Sequence, residues 1–235
     1  MPELVSVIIP TLNEEETLGA TLRRIQHQEE PSEILVVDGG STDETRAVAH
    51  SHDATVLEAP QGRASQMNYG ADEAVGQIYL FLHADTLLPP NGLSQIRFAL
   101  DDPATTSGTF RLQFDDPTPL LQFYAWCTRW SWVRLCFGDR GQFTTRTAFE
   151  AVGGFPEWPL FEDLELAARL QNHGGFRILN AAVTTSARRF RRHGPLRQQL
   201  RNLYLWCHYM GGTPPEKMAP LYPDPASDSA PQPHS

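Results

Sequence analysis

The sequence has few cysteines, no long apolar run and no excess of positive charge, and each absence excludes a class of protein. Its three cysteines, Cys127, Cys136 and Cys207, lack Cys-x-x-Cys spacing, so we expect neither a zinc site nor a disulfide framework, and a reducing cytosol suits them. No segment reaches the roughly 18 consecutive apolar residues that a membrane-spanning helix needs. The formal net charge of -9 argues against a nucleic-acid-binding surface, which requires a basic face.

The sequence also lacks the glycine-rich phosphate loop of dinucleotide-binding enzymes. Such enzymes carry Gly-x-Gly-x-x-Gly after the first strand, whereas the first apolar run here ends in Pro-Thr-Leu-Asn-Glu-Glu. Because an acidic turn with little glycine binds pyrophosphate poorly, a dinucleotide oxidoreductase is disfavoured. No cationic segment precedes the first apolar run, and Glu3 interrupts the start of the chain. We therefore expect no signal peptide.

Short apolar runs alternate with amphipathic segments along the chain. Strands are expected at residues 5–10, 34–38, 55–59, 78–83, 107–114 and 142–145. Helices are expected at residues 13–27, 43–50, 63–75, 91–100, 120–133, 162–172 and 196–209. The first helix is expected to begin at Asn13, a favoured N-cap residue, because Glu16 follows three residues later. The alternation predicts an α/β fold, a mostly parallel central sheet with helices on both faces.

Polar residues follow three of the early strands, in segments 10–14, 38–43 and 83–85. Each segment alone has an ordinary structural explanation, because Asn13 and Asp85 can cap helices and Asp38 precedes a Gly-Gly turn. Ligands of open parallel sheets bind beyond the carboxyl ends of the strands, where all three segments would meet. Their convergence therefore predicts one binding crevice.

The residue types in this crevice suit a nucleoside diphosphate. The Asp38 carboxylate can accept a hydrogen bond from a base N–H, and Thr11 and Glu14 can reach base or ribose hydroxyls. Asp85 is a hard oxygen ligand of the kind that Mg²⁺ or Mn²⁺ prefers when it bridges phosphates. His83 is expected to be a second metal ligand or a neighbour of one, and a histidine at this position slightly favours Mn²⁺.

Five segments of the sequence together resemble the family 2 glycosyltransferases, which have the GT-A fold, a Rossmann-like single domain. They are VSVIIPTLNEE, ILVVDGGSTDET, GRASQMNYGA, YLFLHADT and GGFPEWPLFEDLELAARL, and they extend from residue 5 to about residue 172. The segment GDRGQFTTRTAFEAVGGFP also resembles a small soluble bacterial branch associated with arsenosugar biosynthesis. The resemblance implies transfer of a sugar from a nucleotide donor.

The resemblance also implies a role for each matching residue. Asp38 would bind the base, Asp85 would close an Asp-x-Asp-like motif that here reads His83-Ala84-Asp85, and Asp163 would be the catalytic base. The donor site is expected to comprise Pro10, Thr11, Asn13, Glu14, Asp38, Gly39, Arg63 and Ala84, with Arg63 near the phosphates. The histidine at position 83 departs from the family pattern and leaves the metal geometry open.

The second half of the sequence contains candidates for catalysis and phosphate binding. Glu162 and Asp163 begin a predicted helix, where carboxylates often only complement the helix dipole. The Glu162 side chain is expected to point elsewhere than Asp163, or to contribute at the phosphate or acceptor side. Arg188, Arg189 and their basic neighbours form either a solvated loop or a phosphate-binding cluster. Trp130 is a candidate acceptor platform, although aromatic side chains more often pack in a core.

These observations predict one domain, residues 1–213, with a nucleotide-binding half at 1–100 and an acceptor and catalytic half at 101–213. Residues 214–235, rich in Pro, Ser, Ala and Asp, are expected to be disordered. The predicted function is Mn²⁺- or Mg²⁺-dependent, inverting transfer, most simply from a UDP-sugar to an acceptor hydroxyl. A nucleotide-sugar-binding protein without turnover and a transferase acting on a lipid phosphate are the alternatives. The expected location is the cytoplasm or its membrane surface, while the acceptor and the oligomeric state stay open.

Overall fold

A computed structural model describes residues 3–127 and 140–221. Within these residues, eight strands form one sheet in the order β3-β2-β1-β4-β7-β6-β8-β5. The strands are β1 (Val5–Thr11), β2 (Ser32–Asp38), β3 (Thr55–Glu58), β4 (Ile78–Phe81), β5 (Thr86–Leu87), β6 (Thr105–Phe114), β7 (Gln142–Thr145) and β8 (Gly175–Thr185). The expected α/β fold with helices flanking a mostly parallel sheet is confirmed.

Helices connect the strands of this sheet. They are α1 (Leu18–Gln26), α2 (Thr45–Ser51), α3 (Arg63–Glu73), α4 (Gly92–Leu100), α5 (Pro119–Cys127), α6 (Arg146–Ala151), α7 (Glu162–His173), α8 (Arg188–His193), α9 (Pro195–Met210) and α10 (Pro215–Met218). The strands β1 to β4 pair in parallel, and β7 lies antiparallel between β4 and β6. Parallel pairing aligns the carboxyl ends of β1, β2 and β4 at one edge of the sheet.

The core lies on both faces of the sheet, which explains why β1 is apolar without alternation. Val7 and Ile9 pack with Leu22 on one face, while Ile8 packs with Met67 on the other. Every residue of β1 is buried. Burial of both faces places β1 at the centre of the domain and positions the loop that follows it.

The first helix begins later than the sequence indicated. Helix α1 begins at Leu18, and its N-cap is Thr17, so the expected capping by Asn13 is wrong. Asn13 instead has a φ of 54°, in the left-handed region that Asn tolerates better than most residues. The segment between β1 and α1 is therefore not helical at Asn13 and lies along the loop after β2.

The segment after residue 213 begins with ordered structure. Helix α10 and a 3₁₀ turn at Ala219–Leu221 occupy residues that were expected to be disordered, so the expectation is wrong for 215–221. Met218 is buried in a cluster with Phe161, Leu164 and Leu205. Apolar packing against the start of α7 therefore orders this segment, and residues 222–235 lie outside the described part of the chain.

Candidate functional site

The loops that follow β1 and β2 are joined by hydrogen bonds. The backbone N–H of Asn13 donates to Ser41 Oγ at 2.9 Å, and the N–H of Thr42 donates to Asn13 Oδ1 at 2.9 Å. The N–H of Glu14 donates to Thr45 Oγ1 at 2.7 Å. The left-handed backbone at Asn13 makes these contacts possible. The sequence segments 10–14 and 38–43 thus lie together, whereas the binding crevice that they would border stays a prediction.

Asp38 is buried at the end of β2 and holds the loop that follows it. Its Oδ2 atom accepts hydrogen bonds from the N–H groups of Gly40, at 3.2 Å, and Ser41, at 2.9 Å. Its Oδ1 atom accepts from Ser41 Oγ and, at 3.3 Å, from Thr11 Oγ1. Arg46 Nε lies 3.9 Å from Oδ2. The carboxylate therefore positions the loop that would face a base, in line with the Gly-Gly turn that the sequence offered as the ordinary explanation of Asp38.

Gln66 is a further positioning residue that sequence reasoning missed. Its buried amide donates to the carbonyl oxygens of Thr11, at 2.9 Å, and Val37, at 2.7 Å, and accepts from the N–H of Gly62 at 3.2 Å. The same amide lies so near Gly39 that a Cβ there would meet it at 3.0 Å. Its place in the GRASQMNYGA segment was the available signal. Gln66 therefore fixes the spacing between the ends of β1 and β2.

Arg188 joins two of the predicted site carboxylates. Its Nη2 atom donates to Glu14 Oε1 at 2.6 Å and lies 3.6 Å from Asp85 Oδ2. The β5–β8 pairing brings Arg188 here, because the N–H of Ser186 donates to the Asp85 carbonyl oxygen at 3.2 Å. One cation thus balances two carboxylates, one beyond β1 and one beyond β4.

Two opposing effects act on the pKa of Arg188. Burial acts to lower it, whereas the charges of Glu14, Asp85 and Glu16 and the hydrogen bond to Glu14 raise it, and the net result is a raised pKa. Arginine is already cationic at any physiological pH, so the shift changes no protonation state. It shows that the carboxylates around Arg188 more than offset its desolvation.

A second ion pair connects the two halves of the domain. Arg63, the first residue of α3, places Nε 3.0 Å from Oε1 of Glu162, the first residue of α7. The Glu162 side chain is 2% exposed, and among the described residues its Oε2 atom has no hydrogen-bond partner. A buried carboxylate oxygen without a donor is costly, so this atom is available to accept a hydrogen bond from a ligand hydroxyl. Glu162 thus contacts Arg63, which was expected near the donor phosphates, and its role at the phosphate or acceptor side stays a prediction.

Asp163 follows at the same helix start. It is buried, and its Oδ1 accepts a hydrogen bond from the N–H of Leu164 at 2.8 Å. The preceding residue, Phe161, has a φ of 64°, an uncommon and strained backbone conformation for an aromatic residue. Both carboxylates lie in the first turn of α7, where negative charge interacts favourably with the helix dipole. Held this way, Asp163 is a fixed carboxylate with the chemistry of a general base.

The remaining predicted residues have varied positions. Ala84 and Pro10 are buried. The Ala84 carbonyl oxygen accepts a hydrogen bond from Thr21 Oγ1 at 2.8 Å, which fixes the backbone after β4. His83 lies partly exposed in the turn between β4 and β5, where its carbonyl oxygen accepts from the N–H of Thr86 at 3.1 Å. Trp130 and the side chain of Arg189 lie outside the described residues.

The protein supplies few metal ligands at the crevice. Over residues 3–127 and 140–221, no three His, Cys, Asp or Glu side chains form a group that could hold a metal ion. Mg²⁺ is commonly held by one or two carboxylates together with substrate phosphates and water, without a dedicated protein cage. A ligand set of Asp85 with His83 fits a cation of this kind only together with a diphosphate.

An open cavity of about 890 Å³ lies beside β6, β8 and α5. Its lining includes Phe123 and Trp126, whose rings stack at a centroid distance of 6.0 Å, together with Asp115, Asp116 and Asn180. Aromatic faces next to carboxylate and amide groups are suited to polyhydroxylated ligands. The cavity lies in the half of the chain predicted to bind the acceptor.

The sequence matches the model of a known protein family. Residues 6–155 match "Glycosyl transferase family 2". A curated relative, "Probable glycosyltransferase YdaM" of Bacillus subtilis (strain 168), is 27% identical over 208 residues, which are 77% of this chain and 50% of the relative. The chain therefore spans half the length of that relative. None of these matches tests the resemblance to the arsenosugar branch, which stays a prediction.

Solved structures with low sequence identity share the fold. Staphylococcus aureus TarS 1–349 in complex with UDP-GlcNAc has a TM-score of 0.64 and 18% identity, covering 77% of this chain and 58% of TarS 1–349. The mannosyltransferase PcManGT of Pyrobaculum calidifontis, in complex with GDP-Man and Mn²⁺, has a TM-score of 0.62 and 21% identity, covering 94% of this chain and 68% of PcManGT. At this identity the likeness concerns the fold alone.

Proposed function

Because the chain belongs to glycosyl transferase family 2, we propose that it transfers a sugar from a nucleotide-sugar donor to an acceptor hydroxyl. The observation that carries the proposal is the set of charged groups beyond the aligned ends of β1, β2 and β4, namely Glu14, Asp38, Asp85 and Arg188. We propose a UDP-sugar as the donor. The structure of TarS with UDP-GlcNAc supports uracil as the base of the donor. The structure of PcManGT with GDP-Man makes a GDP-sugar the alternative to test.

In this proposal the nucleoside lies along the joined loops after β1 and β2. Asp38 and the Gly39–Gly40 backbone that it positions recognise the base, and Thr11, Asn13 and Glu14 border the nucleoside. The left-handed backbone of Gly40, with a φ of 97°, allows the loop to turn tightly around Asp38. Asp38 therefore recognises the base largely through the loop geometry that it maintains.

Asp85, with His83 beside it, would hold Mn²⁺ or Mg²⁺ together with the diphosphate of the donor. A divalent cation there would neutralise charge that develops on the leaving diphosphate. Arg188 lies next to Asp85 and carries five N–H donors in a fixed planar geometry, so it is placed to bind a phosphate oxygen once Glu14 or Asp85 releases it. Arg63, at the N-terminal end of α3, would contribute a second positive charge.

We propose Asp163 as the general base of an inverting reaction. The acceptor hydroxyl would attack the anomeric carbon as its proton passes to Asp163, and the bond from that carbon to the diphosphate oxygen would break. The Oε2 atom of Glu162, which has no hydrogen-bond partner within the described part of the chain, would accept a hydrogen bond from a hydroxyl of the sugar or acceptor, while Arg63 holds the other oxygen. Glu162 therefore orients a substrate, and Asp163 takes the proton.

Loss of UDP from UDP-sugars tests this proposal, because water can replace an unidentified acceptor. Asp163→Asn should reduce kcat by about 10²–10⁴-fold and leave UDP affinity by calorimetry within about twofold, since a base acts mainly in the transition state. Glu165→Gln is the matched control, because Glu165 also lies in the first turn of α7 but pairs with Arg169 at 2.9 Å.

Three outcomes would contradict parts of this proposal. Equal turnover in Asp163→Asn and Glu165→Gln would limit Asp163 to an interaction with the helix dipole. UDP binding without release of UDP from any UDP- or GDP-sugar would favour a nucleotide-sugar-binding protein. Faster release from GDP-sugars would overturn the choice of base.

A further inference from the structure

Helix α9 exposes a stripe of apolar side chains, in addition to the face that buries Leu205 against the start of α7. Leu196 is 64% exposed and Leu200 is 58% exposed, and Leu203 and Tyr204 continue the same exposed stripe. These residues recur at the spacing of one helix face. Gln198 lies on the opposite face and is 4% exposed, and among the described residues its Oε1 atom has no hydrogen-bond partner. Large apolar stripes left on a surface indicate an interaction site.

The neighbouring helix also exposes large apolar groups. Helix α5 contacts α9 and exposes Phe123 and Trp126, which stack on each other. Tyrosine and tryptophan are enriched where proteins meet the boundary between lipid headgroups and acyl chains. The exposed aromatic residues of α5 and α9, such as Trp126 and Tyr204, are therefore of the types found at a membrane interface.

The charge around α9 is opposite to that of the whole chain. No Asp or Glu occurs between Glu165 and Glu216, whereas eight arginines do, six of them within residues 188–201. Arg197 is exposed on α9, next to Leu196 and one turn from Leu200 and Arg201. The chain as a whole has a net charge of -9. A positively charged segment with an apolar stripe, in an acidic protein, complements a surface that is both anionic and apolar.

We propose that the exposed face of α9, defined by Leu196, Leu200, Leu203 and Tyr204, docks on an anionic lipid bilayer. The apolar side chains enter the headgroup region, and Arg197 and Arg201 of the same helix bind lipid phosphates. A second copy of the chain fits this face less well, because a two-fold interface would bring the arginines of both copies together. The described residues contain no helix long and apolar enough to cross a membrane. The proposal goes beyond the transfer reaction and does not depend on it.

Docking would bring the candidate active site near the bilayer. Helix α8 is separated from α9 by Gly194 alone and packs against it, and Arg188 at the start of α8 contacts Glu14 and Asp85. The connection between the docking face and the crevice is therefore one short helix. The residue proposed to bind the donor phosphate and the residues proposed to bind the membrane thus lie on the adjacent helices α8 and α9.

Flotation of the full chain with lipid vesicles tests the proposal. We expect binding to vesicles of phosphatidylcholine with phosphatidylglycerol, weaker binding to phosphatidylcholine alone, and loss of binding as salt rises, because salt screens the arginines. The double variant Leu200→Glu, Leu203→Glu should reduce the partition coefficient at least about tenfold, since two leucine side chains lose their burial. Phe98→Glu, at a residue 76% exposed on α4, is the matched control and should bind as the parent does.

Both variants replace exposed side chains, so the melting temperature should not change and a loss of binding cannot be attributed to unfolding. Equal binding to neutral and anionic vesicles would overturn the proposal. Retained binding in the double variant, or an equal loss in Phe98→Glu, would do so as well. Sedimentation that reveals a dimer, dissociated by the double variant, would assign the face to a second copy of the chain.

Discussion

Replacement of Arg188 by glutamine would separate two effects that the crevice combines in one residue. In the parent, Arg188 Nη2 lies 3.6 Å from Asp85 Oδ2 and 2.6 Å from Glu14 Oε1. Arg188→Gln removes the positive charge and retains a neutral N–H donor on a shorter side chain. We expect Mn²⁺ to bind the free protein more tightly, because Asp85 would no longer be neutralised. We expect UDP to bind more weakly, because a phosphate ligand is lost.

The magnitude follows from the distance and the exposure. Two unit charges about 4 Å apart interact by about 4 kcal/mol at an effective dielectric constant near 20. The Arg188 side chain is 33% exposed, so solvent screening reduces this figure to about 1–2 kcal/mol. That energy corresponds to roughly a 5- to 30-fold tightening of Mn²⁺ binding, at about 1.4 kcal/mol for each factor of ten. The loss of a charged hydrogen bond to phosphate predicts a weakening of UDP binding of similar size.

Opposite shifts of the two affinities form the expected signature. Mn²⁺ affinity is measured by the electron paramagnetic resonance signal of free Mn²⁺, and UDP affinity by calorimetry. Arg191→Gln is the matched control, because Arg191 lies on the same helix but pairs with Asp115 at 3.2 Å and Asp116 at 3.5 Å. If Arg188→Gln leaves Mn²⁺ affinity equal to that of Arg191→Gln, Arg188 does not compete for Asp85 and the reasoning is refuted.

Two further predictions concern packing. Gly108→Ala should lower the free energy of unfolding, measured in urea, by about 3 kcal/mol or more. The reason is that a Cβ at this position would overlap the Arg177 carbonyl oxygen and the Phe143 ring, where β6 and β8 approach closely. A change below about 1 kcal/mol would contradict the packing of these strands. Met218→Ala should lower the free energy of unfolding by about 2 kcal/mol and lower kcat, because Met218 packs with Phe161, which directly precedes Glu162 and the proposed base Asp163. Truncation after Leu221 should leave both the stability and kcat unchanged. Equal effects of the two changes would mean that α10 does not support α7.

The local sequence pattern was sufficient to predict an element wherever its apolar residues repeat at the spacing of a strand or a helix. Strand β1 and helices α3 and α7 lie within a few residues of their predicted bounds, because their apolar residues repeat at the spacing of one element. Strand β8 was missed. Its residues, GFRILNAAVTT, are mostly half-buried and do not alternate clearly. Pairing with β6 and β5, more than 60 residues away in sequence, makes this segment a strand.

Within the candidate site, the sequence alone was sufficient to place Asp38 at the end of a strand and Asp85 just beyond one, because the apolar runs that form these strands are local and parallel strands end at one edge of the sheet. Only the tertiary structure decided which charges meet. Arg188 and Glu14 are 174 residues apart, and Arg63 meets Glu162 across the two halves of the domain. Such pairs depend on how β8 and α7 pack against the first half, and no local pattern contains that geometry. The carboxylates were therefore predictable from sequence, and their cationic partners were not.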